Sequence, residues 1–198
     1  MKLFELQKIL PKNITKPVFS YWKSKAPYAA RSTLENTLKK LGWTPPTFNS
    51  YDSGANSMVF ANPKKSFVIK INKFPDKGYA RFVEVIHEHP NKHFPKISAM
   101  KSLKMGKCIY YVYLIEKLKP IKNSNKYADE IEQVINYYTG SLEEIFRFSK
   151  IPKFLSANPN LVKAARLVGK YGKNDIDMHE GNIMQRTDGT IVIIDPYC

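Results

Sequence analysis

The chain has 198 residues, 43% hydrophobic, 13% aromatic and 25% charged, which is enough apolar side chain for a packed core and too much for disorder along its whole length. Its 32 Lys and Arg against 17 Asp and Glu leave a formal charge of +15, a field that attracts phosphates, anionic surfaces or an acidic protein without choosing among them. Two cysteines, Cys108 and Cys198, make no disulfide framework. The opening Met1-Lys2-Leu3-Phe4-Glu5 lacks the apolar centre of a signal peptide, and no stretch approaches the about 18 uninterrupted apolar residues of a membrane helix, so a reducing cytoplasm and no membrane association are expected.

Of the basic residues 27 are Lys, and only Arg31, Arg81, Arg147, Arg166 and Arg186 are Arg. Groove and phosphate recognition leans on the bidentate Arg fork, whereas evenly spread Lys is the mark of a solvated surface. The densest runs, Lys101/Lys104/Lys107 and Lys117/Lys119/Lys122, sit in no RNA-binding or zinc-knuckle pattern. The charge allows nucleic acid as a partner; the motifs do not favour it.

In chain order, Leu3, Leu6, Ile9 and Leu10 have helical spacing, and Ser32-Thr33-Leu34-Glu35 caps a second helix that runs to Gly42. Residues 1–47 read as a helical extension whose aromatics (Phe19, Tyr21, Trp22, Trp43) are core. From 48 to 116 the pattern becomes β-rich: 48–51, 57–61, 66–71 and 108–116 alternate or run apolar, with Gly54 and Asn62-Pro63-Lys64-Lys65 as turns. Between them a helix from Pro75-Asp76 to just before Pro90 carries Tyr79, Phe82, Val83 and Ile86 on one face. Residues 117–198 are expected to be mainly helical, around 127–148 and 159–171, and to close on a hairpin. This order predicts an α+β fold of two lobes.

The hairpin is the most informative stretch. Asp188-Gly189 between apolar runs signals a two-residue type I′ turn, and pairing Thr187 with Thr190 then sets Asn182 opposite Asp195. An amide oxygen beside a carboxylate suits a hard cation such as Mg²⁺, and Asp177, five residues before Asn182, enters the same end as a carboxylate able to take a hydroxyl proton. Each of the three alone is an ordinary loop or turn residue; their convergence makes a site.

Asp177-x-x-x-x-Asn182, an apolar strand and then Asp195 resembles the catalytic loop and metal-binding aspartate of the protein-kinase-like superfamily. The wording Asp177-Met178-His179-Glu180-Gly181-Asn182-Ile183-Met184 with Asp195-Pro196 is most similar to small serine/threonine kinases of tailed bacteriophages, and more loosely to aminoglycoside phosphotransferase-type kinases. The resemblance spans about 48–198 and implies a minimal two-lobed kinase-like fold with a truncated C-lobe behind the N-terminal extension. It also implies ATP and Mg²⁺ as cofactors, and a phage product working in the host cytoplasm.

The resemblance distributes roles along the chain. Asp177 is the base, Asn182 and Asp195 are metal ligands, and Lys70, a lone charge in Phe67-Val68-Ile69-Lys70-Ile71, pairs the nucleotide phosphates. Gly54 and Ser57 belong to a sparse glycine loop, Glu84 (with Glu88 as the other choice) holds Lys70, and Glu116 C=O and Leu118 N–H read adenine. His179 takes a catalytic-loop position near the γ-phosphate. Read from strand alternation alone, the lesser alternative for Lys70 is a solvent-facing residue. His87, His89 and His93 match no zinc geometry, with Pro90 breaking the helix between them.

Several features depart from the family pattern. Asp175 replaces the usual histidine, Asp195-Pro196-Tyr197 replaces Asp-Phe-Gly, and the sequence runs only three residues past Asp195. No activation segment or substrate platform is expected within it, nor control through such a segment. The expected activity is phosphate transfer to Ser/Thr of a protein, an acidic host protein among the candidates. The rival readings are a kinase-like protein that captures an acidic partner, and a kinase for a small molecule or RNA hydroxyl.

Overall fold

The computed structural model describes residues 36, 39–40, 42–44, 57–73, 77–105, 108–122, 124–139, 157–172 and 175–197. The expected strand at 48–51, the glycine loop with Gly54, the first N-terminal helix and the segment 140–148 lie outside these residues. Among those described, the fold is α+β, with two antiparallel sheets and three helices. They fall into two compact units, residues 1–74 with 97–117, and residues 75–96 with 118–198.

In the first unit β1 (Ser57–Ala61), β2 (Phe67–Lys73), β3 (Ile97–Met105) and β4 (Cys108–Glu116) form a sheet of order β1-β2-β4-β3, antiparallel throughout. Strand β3 was not legible in the sequence, where lysines interrupt its alternation. The pleat sends Met58, Phe60, Ile69, Ile71, Val112 and Leu114 to one face, where all six are buried. Burying such side chains stabilises by roughly 1.5–3 kcal/mol each before entropy is charged. Gly42, at φ +75, ends the preceding helical turn with its N–H on Lys39 C=O. Trp43 is then buried against Phe67, ring centroids 6.2 Å apart, and Thr44 bridges Ala61. Trp43 is core, as its surroundings in the sequence imply.

The second unit holds α1 (Lys77–Glu88), α2 (Ser124–Thr139), α3 (Pro159–Gly172), and a sheet of β5 (Lys119–Pro120), β6 (Ile183–Gln185) and β7 (Ile191–Ile193). Helix α1 stops where Pro90 cannot continue it. It buries Gly78, Tyr79, Phe82 and Val85, so its inner face is turned slightly from the expected one and Val83 and Ile86 are half-buried. Pro159 opens α3 at a position where its missing N–H costs nothing. Ala164, Ala165 and Gly169 on the buried side of α3 let α2 and α1 pack closely against it. Phe82 is the hub of the aromatic core, edge-on to Tyr79, Phe94 and Tyr197 at 6.2, 5.5 and 5.9 Å.

The hairpin corrects the expected register. Ile183 pairs with Ile193, Met184 with Val192 and Gln185 with Ile191, and Arg186 N–H donates to Thr190 C=O. The loop therefore has three residues, Thr187, Asp188 and Gly189, not two. Gly189 has a positive φ, +83, and its N–H donates to Arg186 C=O at 3.1 Å, as in a type I turn closed by a left-handed residue. Asp188 caps the loop by accepting the Thr190 N–H at 2.9 Å, and that bond, with the Thr190 hydroxyl, holds its carboxyl below the usual range. Asn182 consequently lies opposite Ile194, whose N–H donates to its C=O at 2.9 Å, and not opposite Asp195.

Candidate functional site

Although the register slips by one, hydrogen bonds gather Asp177, Asn182 and Asp195 at the open end of the hairpin. Asp177 N–H donates to Pro196 C=O at 2.8 Å, beside a bridge between Ile176 and Tyr197. The Asn182 side-chain amide donates to Asp177 C=O at 2.7 Å, and the Ile194 amide closes the ring onto Asn182 C=O. Asp195 thus stands between two residues, 194 and 196, that are each tied to the loop 177–182. Within this loop Glu180–Asn182 forms one 3₁₀ turn, with Asn182 N–H on His179 C=O at 2.9 Å.

Burial grades the three polar groups. Asn182 is 7% exposed, Asp195 is half-buried, and the Asp177 side chain is 50% exposed. Only a carboxylate open to solvent can meet an incoming hydroxyl, and a buried amide serves best as a fixed oxygen donor. Asn182 Oδ1 takes no hydrogen bond among the described residues while its Nδ2 is committed to Asp177. An amide oxygen and the Asp195 carboxylate are hard donors of the kind Mg²⁺ prefers, so these residues fit such an ion. Among the described residues no group of three or more His, Cys, Asp and Glu gathers to hold a metal.

The supports of this end are aromatic and steric. Tyr197 O–H donates to Val168 C=O of α3 at 2.9 Å, and burial pushes its phenol far above the ordinary tyrosine value. Gly172, the last residue of α3, lies against Ile176 and Tyr197 so closely that a Cβ there would overlap Ile176 Cδ1 and stand 2.6 Å from Tyr197 Cε1. Gly172 was not singled out in the sequence, and Gly181 was quoted within the motif but given no role; space, rather than backbone angle, demands both.

The other expected residues fall as follows. Lys70 is 5% exposed, so it does not face solvent; it lies between Val59 on β1 and Tyr113 on β4. Ser57 opens β1 and pairs with Asn72. Glu84 and Glu88 are exposed on α1, which belongs to the second unit, whereas Lys70 belongs to the first. Glu116 ends β4 opposite Phe67, and the chain passes from the first unit to the second between Lys117 and Leu118.

The three histidines after α1 begins are engaged separately. His87 is exposed. His89 Nε2 bonds Tyr171 O–H at 2.7 Å. His93 is buried, with Nδ1 at 2.7 Å from Ile191 C=O. Burial chiefly, then Lys92 and Arg186, depress the His93 imidazole below its usual value, against the Ile191 bond that raises it. Arg186 straps the same segment to the hairpin through Lys92 C=O and Phe94 C=O.

Compared with known protein families and with curated proteins, the chain matches none of them. No helix among the described residues is long and apolar enough to cross a membrane.

Proposed function

We propose that this chain is an ATP- and Mg²⁺-dependent phosphotransferase of the two-lobed protein-kinase-like type, acting on serine or threonine hydroxyls of a protein. The observation that carries the reading is the hydrogen-bonded closure of 177–182 onto 194–196, which unites an exposed carboxylate, a buried amide oxygen and a second carboxylate. Asp177 accepts the proton of the acceptor hydroxyl as its oxygen bonds to the γ-phosphorus, and the bond to the β–γ bridging oxygen breaks to release ADP. Asn182 and Asp195 would hold the metal, which when bound neutralises phosphate charge. By the resemblance, the buried Lys70 is the candidate for phosphate oxygens and Glu116 with Leu118 the candidates for adenine. Transfer of this kind needs positioning and charge more than covalent help from the protein.

The test is label transfer from γ-labelled ATP into a lysate by wild type, Asp177→Ala and Asp195→Ala, with a thermal shift against ATP and Mg²⁺. Asp177→Ala should lose transfer and keep nucleotide binding, and undiminished transfer by that variant would sink the assignment. One observation favours a second reading. Besides the buried Lys70, residues 57–73 and 97–117 carry seven lysines against a single carboxylate, Glu116, a charge balance suited to an acidic partner. Nucleotide binding without transfer to any lysate component would favour that reading.

A further inference from the structure

We propose that His179 is the positioning residue for the Asp177 carboxylate, with Nδ1 accepting the Gly181 N–H and Nε2 turned toward Asp177. Gly181 N–H donates to His179 Nδ1 at 3.1 Å, so Nδ1 keeps its lone pair and the ring proton resides on the other nitrogen. That nitrogen lies 3.9 Å from Asp177 Oδ2, with both side chains about half exposed.

Glycine at 181 is what admits the ring. A Cβ there would stand 2.8 Å from His179 Cε1 and 3.1 Å from Nδ1, inside van der Waals contact, so any larger residue displaces the imidazole. The main chain on both sides is fixed. Asp177 is tied through its N–H to Pro196 and through its C=O to the Asn182 amide, and His179 C=O takes the Asn182 N–H. Side-chain torsions are the remaining freedom, and a small rotation brings Nε2–H into hydrogen-bond range of Oδ2. A donor on Oδ2 fixes the carboxylate plane and leaves Oδ1 as the oxygen that takes a proton. The catalytic consequence rests on the phosphotransfer reading; the tautomer and its pairing with Asp177 do not.

The test has two arms on the full chain. In the first, long-range ¹H–¹⁵N spectra of the ring-labelled protein should show the Nε2–H tautomer for His179. Gly181→Ala should abolish that preference, and Asp177→Asn should shift the Nε2 proton resonance. An Nδ1–H tautomer, or a resonance indifferent to Asp177→Asn, overturns the proposal. In the second, label transfer is compared among three substitutions. His179→Ala should lower kcat by about 10- to 100-fold, the usual cost of losing an orienting partner, with the KM for ATP little changed. His179→Gln, whose amide nitrogen replaces Nε2, should recover most of the loss. His179→Asn, whose amide oxygen replaces Nδ1, should keep the turn capped without restoring kcat. Equal rescue by Asn reduces His179 to a cap, and a higher KM for ATP at unchanged kcat makes it a phosphate contact; either outcome overturns the positioning role. If wild type transfers no label, the phosphotransfer reading falls and the first arm alone decides the pairing.

Discussion

Gly172→Ala is the sharpest structural perturbation available at this site. In an ordinary helix the change stabilises by up to about 1 kcal/mol. Here the new methyl must enter a space filled by Ile176 Cδ1 and the Tyr197 ring. Tyr197 is 4% exposed and anchored to Val168 C=O, so its ring cannot swing away, and the cost belongs at the upper end of the about 1–3 kcal/mol range for overpacking. The net is a destabilisation of about 2 kcal/mol, or a fall in Tm of about 4–8 °C for a chain of this size. Because Ile176 and Tyr197 bridge immediately beside Asp177, label transfer should fall by more than the unfolded fraction explains. Paired thermal melts and transfer assays check this. A variant as stable as wild type, with full transfer, would refute the claim that this contact sets the base of the loop.

Two further outcomes follow from the same geometry. Asn182→Asp keeps the shape but replaces the Nδ2 donor with an oxygen facing Asp177 C=O; transfer should be lost and stability reduced by about 1–3 kcal/mol, read by urea titration, whereas unchanged stability would mean that the bond closes nothing. His93 is held neutral, because its folded-state value lies below the unfolded one. The unfolded chain therefore binds the extra proton first. The stability gained from a neutral His93 is complete above the unfolded value of 6.5 and is lost as pH falls through the depressed folded value. Urea midpoints measured from pH 8 downward should drop over that window, and His93→Gln should flatten the decline.

Legibility in the sequence followed how local each determinant is. The bounds of β4 could be read directly because eight residues, Cys108 to Ile115, run apolar without interruption before Glu116, and α1 because Pro90 ends it. Strand β3 was hidden because Lys101 and Lys104 interrupt its pattern, and β5 because two residues carry no periodicity. The hairpin shows the limit most clearly. Asp188-Gly189 fits either a two- or a three-residue loop, and what decides is the Asp188 carboxylate on Thr190 N–H together with the Arg186–Thr190 pair. The sequence arithmetic placed Asn182 across from Asp195; in the structure Asn182 pairs with Ile194, and the neighbours of Asp195 on both sides are tied to the loop 177–182 by main-chain bonds. Gly172 was invisible, and Gly181 had a place in the motif but no stated reason, because their necessity lies in neighbouring side chains, which no spacing rule reports.

The ring of bonds around Asp195 also bears on how the site is acquired. Its members lie between residues 175 and 197, and the bond from Asn182 to Asp177 spans only five residues, whereas Arg186 reaches back 94 to Lys92. Closing a loop costs more as it lengthens, by about 0.6 kcal/mol per doubling. The candidate loop is therefore inexpensive in chain entropy to close, while Gly172, the Tyr197–Val168 bond and the Arg186 strap set where it docks. A segment with that property can be ordered before the rest of the protein has committed, and can change its neighbours without redrawing its own geometry.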